Sequence, residues 1–386
     1  MTIGIIGSGA MGAGIAQVAA TAGHPVRLLD QNPAALEKAR AGIEASLRKL
    51  MEKGKLTAGA AAATLARLHF TSTMTDFADC GLVVEAIVED LAVKQQVFKQ
   101  VEEIASADCL LASNTSSLSI TAIAAACRRP ERFLGIHFFN PAPLMRLVEI
   151  VPAAQTRAGL AEEVKALVTS WGKTPVLAQD TPGFIVNRVA RPFYGEAIRI
   201  LEEGIADAAT IDWALTELGG FRMGPFALMD FIGHDVNFRV TEAVYAGFFY
   251  DSRYRPSLTQ QRLLAAGYLG RKAGWGFYDY APGAVPPTPR RDAKLGLSIL
   301  HRVLAMLINE AADALYLRVA SREDLELAMT TGVNYPQGLL AWADALGPAQ
   351  VLATLDGLYH EYHEDRYRAS PLLRRLARDN QTFFSV

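Results

Sequence analysis

The apolar and polar positions of this chain fall into two rhythms that change over near residue 182. The first begins with a charge-free run: from Met1 to Val26 there is no Lys, Arg, Asp or Glu. A membrane-spanning helix needs about 20 mostly apolar residues, so length alone permits one. The glycines argue against it. Gly4, Gly7, Gly9, Gly12, Gly14 and Gly23 crowd the stretch, and no basic residue precedes it as in a signal peptide. The pattern reads instead as a buried strand over Thr2–Ile6, a glycine turn, a helix over Met11–Ala22, and a strand over His24–Leu29 that ends at Asp30. Further short apolar runs follow at Leu82–Val88, Cys109–Ser113, Gly135–Phe139, Leu147–Val151 and Pro175–Ala178. A helix through Lys94 and Phe98 follows the first of these. Strands alternating with helices predict an α/β fold with a doubly wound sheet over residues 1–182. A helical insertion over about 33–70 is too long for a plain crossover.

From residue 183 the period is helical, to about Leu264, and a Gly- and aromatic-rich ending runs from Leu269 to Tyr280. These form a first all-α domain, 183–280. APGAVPPTPRR (Ala281–Arg291) carries four prolines in eleven residues and cannot be a helix, so 281–294 reads as a linker. A second helical domain covers 295–386. The two helical stretches are copies in one register. At a constant offset of 114, Arg188 falls on Arg302, Glu196 on Glu310, Ala214 on Ala328 and Gly224 on Gly338; Asp230 falls on Asp344, Gly233 on Gly347 and Tyr245 on Tyr359. The match implies an internal duplication. Asn187 falls on His301, so the copies share a scaffold but not a chemistry.

Length and composition narrow the class. A chain of 386 residues exceeds one compact core, and its net charge of −2 offers no bulk attraction to nucleic acid. Cys80, Cys109 and Cys127 are scattered, without a C-x-x-C, which fits a reduced, cytoplasmic setting. No targeting signal or later membrane span is evident. His360 and His363 in YHEYHE stand three apart on an expected helix, but no third ligand accompanies them, and no metal site is expected.

The glycine turn carries the first chemistry. Gly7-Ser8-Gly9-Ala10-Met11-Gly12 is a G-x-G-x-x-G between strand and helix, the Rossmann dinucleotide-binding order. Gly7 permits the tight turn, Gly9 the close approach of a pyrophosphate, and Gly12 close helix–sheet packing. Unpaired N–H groups at the helix start favour phosphate. Gly7, Gly9, Met11 and Gly12 are the cofactor-binding candidates. Asp30, 23 residues after Gly7, is placed to bind a ribose diol and to repel a 2′-phosphate, so NAD is favoured over NADP. The second chemistry lies in GIHFFNPAPLMRLVEI. A hairpin-like return would bring Glu149 to His137, making a base with an orienting carboxylate. The competing reading is a satisfied core histidine and a strand-end charge.

SNTSSL (Ser113–Leu118), HFFNP (His137–Pro141), LVEI (Leu147–Ile150), TPGFIVNR (Thr181–Arg188), VVEAIVED (Val83–Asp90) and GRKAGWGFYDY (Gly270–Tyr280), in order over about residues 1–280, resemble the L-3-hydroxyacyl-CoA dehydrogenase family. FIGHDVNFRVT and the second helical copy resemble its two-copy 3-hydroxyadipyl-CoA or 3-hydroxybutyryl-CoA members from bacterial aromatic-acid catabolism. The resemblance implies that NAD takes a hydride from C3 of a 3-hydroxyacyl-CoA, leaving a 3-ketoacyl-CoA, in β-oxidation or phenylacetate catabolism. It implies His137 as base held by Glu149, Ser116 on the substrate oxygen, and Asn187 near the reacting carbonyl and thioester in a domain cleft. Glu89 and Lys94 would lie near the ribose and nicotinamide, and Asn114 beside the nicotinamide. The alternative for Glu89 and Lys94 is a solvated helix start. Arg48, Lys49, Lys53 and Lys55 gather where the family receives the CoA nucleotide, with Lys53 and Lys55 as substrate-binding candidates; an ordinary solvated basic helix competes. Arg146, Arg191, Arg222 and Arg239 each stand as candidates for an ω-carboxylate. Trp275 stands where relatives carry a polar or charged residue, and the joint between the copies is short. The resemblance further implies that the second copy pairs with the first within the chain, in place of a partner's helical domain, with a further homodimer still open. Two other functions compete: a dehydrogenase of a free hydroxy acid, of the gulonate type, and a non-catalytic, crystallin-like NAD-binding protein.

Overall fold

The computed structural model describes residues 1–384. The chain divides into two compact units, Met1–Phe184 and Ile185–Val386. In the first, an eight-stranded sheet has the order β3-β2-β1-β4-β5-β6-β7-β8. The strands are β1 (Thr2–Ile6), β2 (Val26–Leu29), β3 (Leu68–Thr71), β4 (Cys80–Glu85), β5 (Leu110–Ser113), β6 (Phe133–Phe138), β7 (Leu147–Pro152) and β8 (Thr174–Leu177). All neighbours are parallel except β6 and β7. Between the strands lie α1 (Ala10–Thr21), α2 (Pro33–Glu52), α3 (Ala58–Ala66), α4 (Leu91–Ile104), α5 (Ile120–Ala124) and α6 (Leu160–Ser170). The central strands are buried on both faces, which is why they read as unbroken apolar runs. Ile3, Ile5, Val84, Ile136 and Val148 form a core with Ile15, Ala19 and Val164 of the covering helices.

Side-chain caps mark where helices begin. Asn32 accepts from Ala34 N with Pro33 opening α2, and Asp90 accepts from Val93 N at the start of α4. The insertion is a helical hairpin, α2 and α3, but its end is not helical. Leu68–Thr71 forms the edge strand β3 beside β2. Four residues with only Thr71 buried give little apolar signal, so the sequence reading placed them in the insertion.

The second unit contains α7 (Val186–Val189), α8 (Arg191–Glu202), α9 (Ala208–Trp213), α10 (Pro225–Ile232), α11 (His234–Gly247) and α12 (Leu258–Ala265). A second run follows: α13 (Ala293–Tyr316), α14 (Arg322–Gly332), α15 (Leu339–Leu346), α16 (Pro348–Tyr362) and α17 (Pro371–Asp379). The runs match element for element, α10 onto α15 and α11 onto α16 at the offset of 114. They differ where α13 runs unbroken while α7 and α8 are separate. Pro192 stands where α13 has Met306, and proline removes a helical N–H. The two runs lie within one compact unit.

Buried ion pairs join the runs reciprocally. Arg188 Nε lies 2.6 Å from Glu310 Oε1, and Arg302 Nε lies 2.7 Å from Glu196 Oε1. Tyr254 donates to Glu310 at 2.5 Å, as Tyr367 does to Glu196 at 2.5 Å. Each arginine thus pairs with the glutamate of the other run. Helix α13 is long and apolar enough to cross a membrane by length and composition alone. Its most apolar window is 78% buried inside the unit, and it carries Arg302 and Glu310, which fits a core helix.

Candidate active site

Strands β6 and β7 place His137 directly opposite Glu149 in antiparallel register. Opposed residues project to the same face. His137 Nδ1 lies 2.7 Å from Glu149 Oε2, with the carboxylate fully buried and the imidazole 6% exposed. A buried carboxylate favours the proton on Nδ1 and leaves the lone pair on Nε2. Nε2 makes no hydrogen bond among the described residues. The rings of Phe139 and Phe184 stand 4.5 and 5.8 Å from the imidazole, walling it with apolar surface. The arrangement can therefore accept a proton at Nε2 and stabilise the resulting imidazolium.

The loop between the two strands turns through a cis Asn140–Pro141 peptide. Lys173 holds it, donating from Nζ to Ala142 O at 2.5 Å and Met145 O at 2.8 Å. Burial pulls the Lys173 ammonium down to about 8. Asn114, just past β5, accepts from Phe138 N at 2.8 Å and fastens its loop to the histidine strand.

Glu89 organises the neighbouring SNTSSL turn. Its Oε1 accepts from Thr115 Oγ1, Ser116 N, Ser117 N and Ser117 Oγ. Burial alone would raise its carboxyl, but Lys94 and these hydrogen bonds outweigh it and hold it below the usual range. Lys94 is 1% exposed, with Nζ 2.6 Å from Glu85 and 3.3 Å from Glu89. The solvated-helix alternative therefore fails for Lys94, whereas Glu89 is exposed. The Ser116 hydroxyl makes no hydrogen bond among the described residues. Ser117, by contrast, closes the turn through its hydroxyl. The sequence reading missed Glu85 and Ser113, which complete the network through a 2.7 Å bond. A single carboxylate inside the apolar run LVVEAIV was the available signal.

The dinucleotide elements meet at the ends of β1 and β2. Gly7 has φ +96°, and a Cβ there would lie 2.6 Å from Ala86 O. A Cβ on Gly12 would collide with Gly7 O at 1.8 Å, so helix and turn touch backbone to backbone. Gly9 begins α1 without a side-chain cap, leaving its first N–H groups for a ligand. Met11 lies in the first turn of α1, half-buried. Asp30 accepts from Ser8 N at 2.9 Å and Ser8 Oγ at 2.8 Å on one oxygen, and from Asn32 N on the other. Burial works against its charge, but these bonds hold its carboxyl below the usual range. A glycine cradle, an uncapped helix start and an ionised carboxylate fit a dinucleotide. Ser8 was not singled out from sequence, though it orients Asp30.

A groove of about 490 Å³ runs between α1 and α2, lined by Gly9, Ala13, Gly14, Lys38, Gly42 and Ser46 among others, with Pro143 at its rim. None of the four clustered cations lines it. Arg48, Lys49, Lys53 and Lys55 are exposed at the last turns of α2 and just beyond. Asn187 lies on α7, the first helix of the second unit, and is half-buried. Of the arginines considered for an ω-carboxylate, Arg191 is buried, whereas Arg146, Arg222 and Arg239 are exposed. Among the described residues no group of three or more His, Cys, Asp or Glu is arranged to hold a metal ion.

Comparison with known proteins agrees along the whole chain. The model of the 3-hydroxyacyl-CoA dehydrogenase NAD-binding domain matches residues 2–181, and that of the C-terminal domain matches twice, at 183–280 and 299–382. The chain is 41% identical to the 3-hydroxyadipyl-CoA dehydrogenase of Escherichia coli K12, covering 97% of both. It is 47% identical to a probable 3-hydroxybutyryl-CoA dehydrogenase of Deinococcus radiodurans, over 72% of this chain and all of the other. A crystal structure of 3-hydroxybutyryl-CoA dehydrogenase from Escherichia coli K12 superposes with a TM-score of 0.92 at 39% identity, covering 98% of each chain.

Proposed function

The chain belongs to the 3-hydroxyacyl-CoA dehydrogenase family, an NAD-dependent oxidoreductase family, and on that premise we propose that it oxidises a short-chain or dicarboxylic L-3-hydroxyacyl-CoA to the 3-ketoacyl-CoA. The observation that carries this reading is the His137–Glu149 pair with Nε2 free. His137 takes the C3 hydroxyl proton at Nε2, and Glu149 holds the ring and stabilises its charge. NAD, when bound, supplies the hydride acceptor. Gly7, Gly9, Met11, Gly12 and Asp30 hold the pyrophosphate and adenosine ribose. Glu89, Lys94 and Asn114 shape the turn that borders the nicotinamide, Lys94 acting through the carboxylates it bridges. Ser116 offers its hydroxyl to the substrate oxygen.

The groove between α1 and α2, floored by small residues, suits the thin pantetheine arm of CoA. The exposed Lys53 and Lys55 suit its phosphates. Asn187 contributes an amide to the carbonyl and thioester, a role supported by the TPGFIVNR motif. The reciprocal Arg188–Glu310 and Arg302–Glu196 pairs support the reading that the second copy takes the place of a partner chain's helical domain. A further homodimer remains compatible with it. The proposed substrate class suits fatty-acyl or phenylacetate metabolism, and the three buried free thiols suit a reduced, cytoplasmic setting.

The test is NADH consumption with acetoacetyl-CoA, 3-oxoadipyl-CoA and free acetoacetate. Turnover with either ester and not with the free acid is expected. Activity on the free acid alone would select the gulonate-type reading, and silence on all three would select the crystallin-like one.

A further inference from the structure

The second unit holds two cations that its own carboxylates do not neutralise. Arg191 is buried, and among the described residues its only hydrogen bonds run from Nη1 to Asn237 O and Thr241 Oγ1, at 3.5 and 3.2 Å. Its Nε has no acceptor, and neither does the buried Nε of Arg253. Among the described residues Arg199 donates only to Arg255 O. These arginines line one small cavity, together with Tyr194, Thr241 and Gln260. The surrounding carboxylates pair with other arginines, Arg253 and Arg255 of the cavity among them. Glu310 and Asp313 bind Arg188 and Arg253, and Glu196 and Glu203 bind Arg302. Asp251 binds Arg368, and Glu364 binds Arg255 and Arg366. Among these ion pairs Arg191 and Arg199 are left without a carboxylate, an excess of two cations. The excess belongs to one copy: at the offset of 114, Arg191 falls on Ala305 and Arg199 on Asp313.

A guanidinium buried without a counter-charge is costly. The cavity offers about 20 Å³, room for an occupant the size of one water. We propose that this cavity is a halide site, occupied by chloride as the counter-ion of Arg191 and Arg199. The ion draws α8 and α11 to the segment Arg253–Arg255. Gly195 leaves the space open, since a Cβ there would lie 3.0 Å from Arg199 Nη1.

The test is crystallography of the full chain in sodium bromide, with a parallel thermal melt in sodium chloride against sodium gluconate at equal ionic strength. An anomalous peak in the cavity is expected in the wild type and not in Arg191→Met. The melting temperature should rise saturably with chloride, and Arg191→Met should lose that response. If Arg191→Met does not fold, Gly195→Ala serves: it pushes Arg199 into the cavity and should weaken the apparent chloride affinity at least about tenfold. A cavity holding only water, a melt indifferent to chloride, or a bromide peak that survives Arg191→Met would each overturn the assignment.

Discussion

Two buried histidine–carboxylate pairs stand among the described residues, and they look alike until each ring nitrogen is followed. His137 Nδ1 meets Glu149 at 2.7 Å, and His234 Nε2 meets Asp230 at 2.8 Å. Both pairs are buried. His234, however, is occupied on its other side too, with Gln260 Nε2 3.4 Å from Nδ1. Asp230 accepts as well from Phe277 N, Tyr278 N and Tyr280 OH, so that pair clamps the GWGFYDY segment onto α10. His137 keeps one nitrogen free. A histidine saturated on both nitrogens is a strut; one saturated on a single nitrogen can carry a proton. Burial and distance to a carboxylate do not separate the two roles.

The comparison can be broken in order of effect. Glu149→Gln should cost most at the His137 pair. An amide can donate to Nδ1 and so reverse the tautomer, and turnover should fall on the order of 10⁴-fold with little change in NAD affinity. Steady-state kinetics beside a cofactor titration will show it; an unaltered rate would remove the orienting role. His234→Ala should do the opposite. Removing a buried strut costs ~2–4 kcal/mol in a urea melt, while turnover of the folded fraction stays near wild type. A large loss of turnover with stability intact would erase the distinction drawn here. Asp30→Ala, outside both pairs, should weaken NAD about tenfold, or ~1.4 kcal/mol, and narrow the preference over the 2′-phosphorylated cofactor; an unchanged cofactor ratio would release Asp30 from the ribose.

The smallest effect concerns another clamp of the second unit. Burial lifts the Asp212 carboxyl to about 6 from an ordinary 3.8, against hydrogen bonds from Phe226 N, Tyr278 OH and Ala227 N. A folded value above the unfolded one means that Asp212 contributes fully below the unfolded value, and that this contribution is lost as pH rises through about 6. Stability measured across that window should fall less steeply in Asp212→Asn. An identical slope would show that Asp212 is not the group responsible.

The sheet was legible because strands buried on both faces are written as unbroken apolar runs, and the cofactor turn because backbone crowding admits only glycine at Gly7 and Gly12. Glu149 could be paired with His137 because a short turn between two strands fixes the register. The edge strand β3 was not legible, since an edge position buries little. Phe249 and Tyr250 extend an apolar run that favours helix packing, yet α11 stops at Gly247, and both side chains are exposed at φ +52° and +65°. Lys94 looked like a surface residue because only the fold reveals that Glu85 waits beneath it. Long-range pairings such as Arg188–Glu310 leave no local pattern, and only the repeat at offset 114 hinted at them.

The most direct test of the central claim is turnover of L-3-hydroxybutyryl-CoA by His137→Ala, with NAD binding measured on the same preparation. General acid–base help is worth roughly 10²–10⁴ in rate, so turnover should fall by that factor while NAD binding barely changes. Full turnover in this variant would contradict the account, because no other described group would then be known to take the proton.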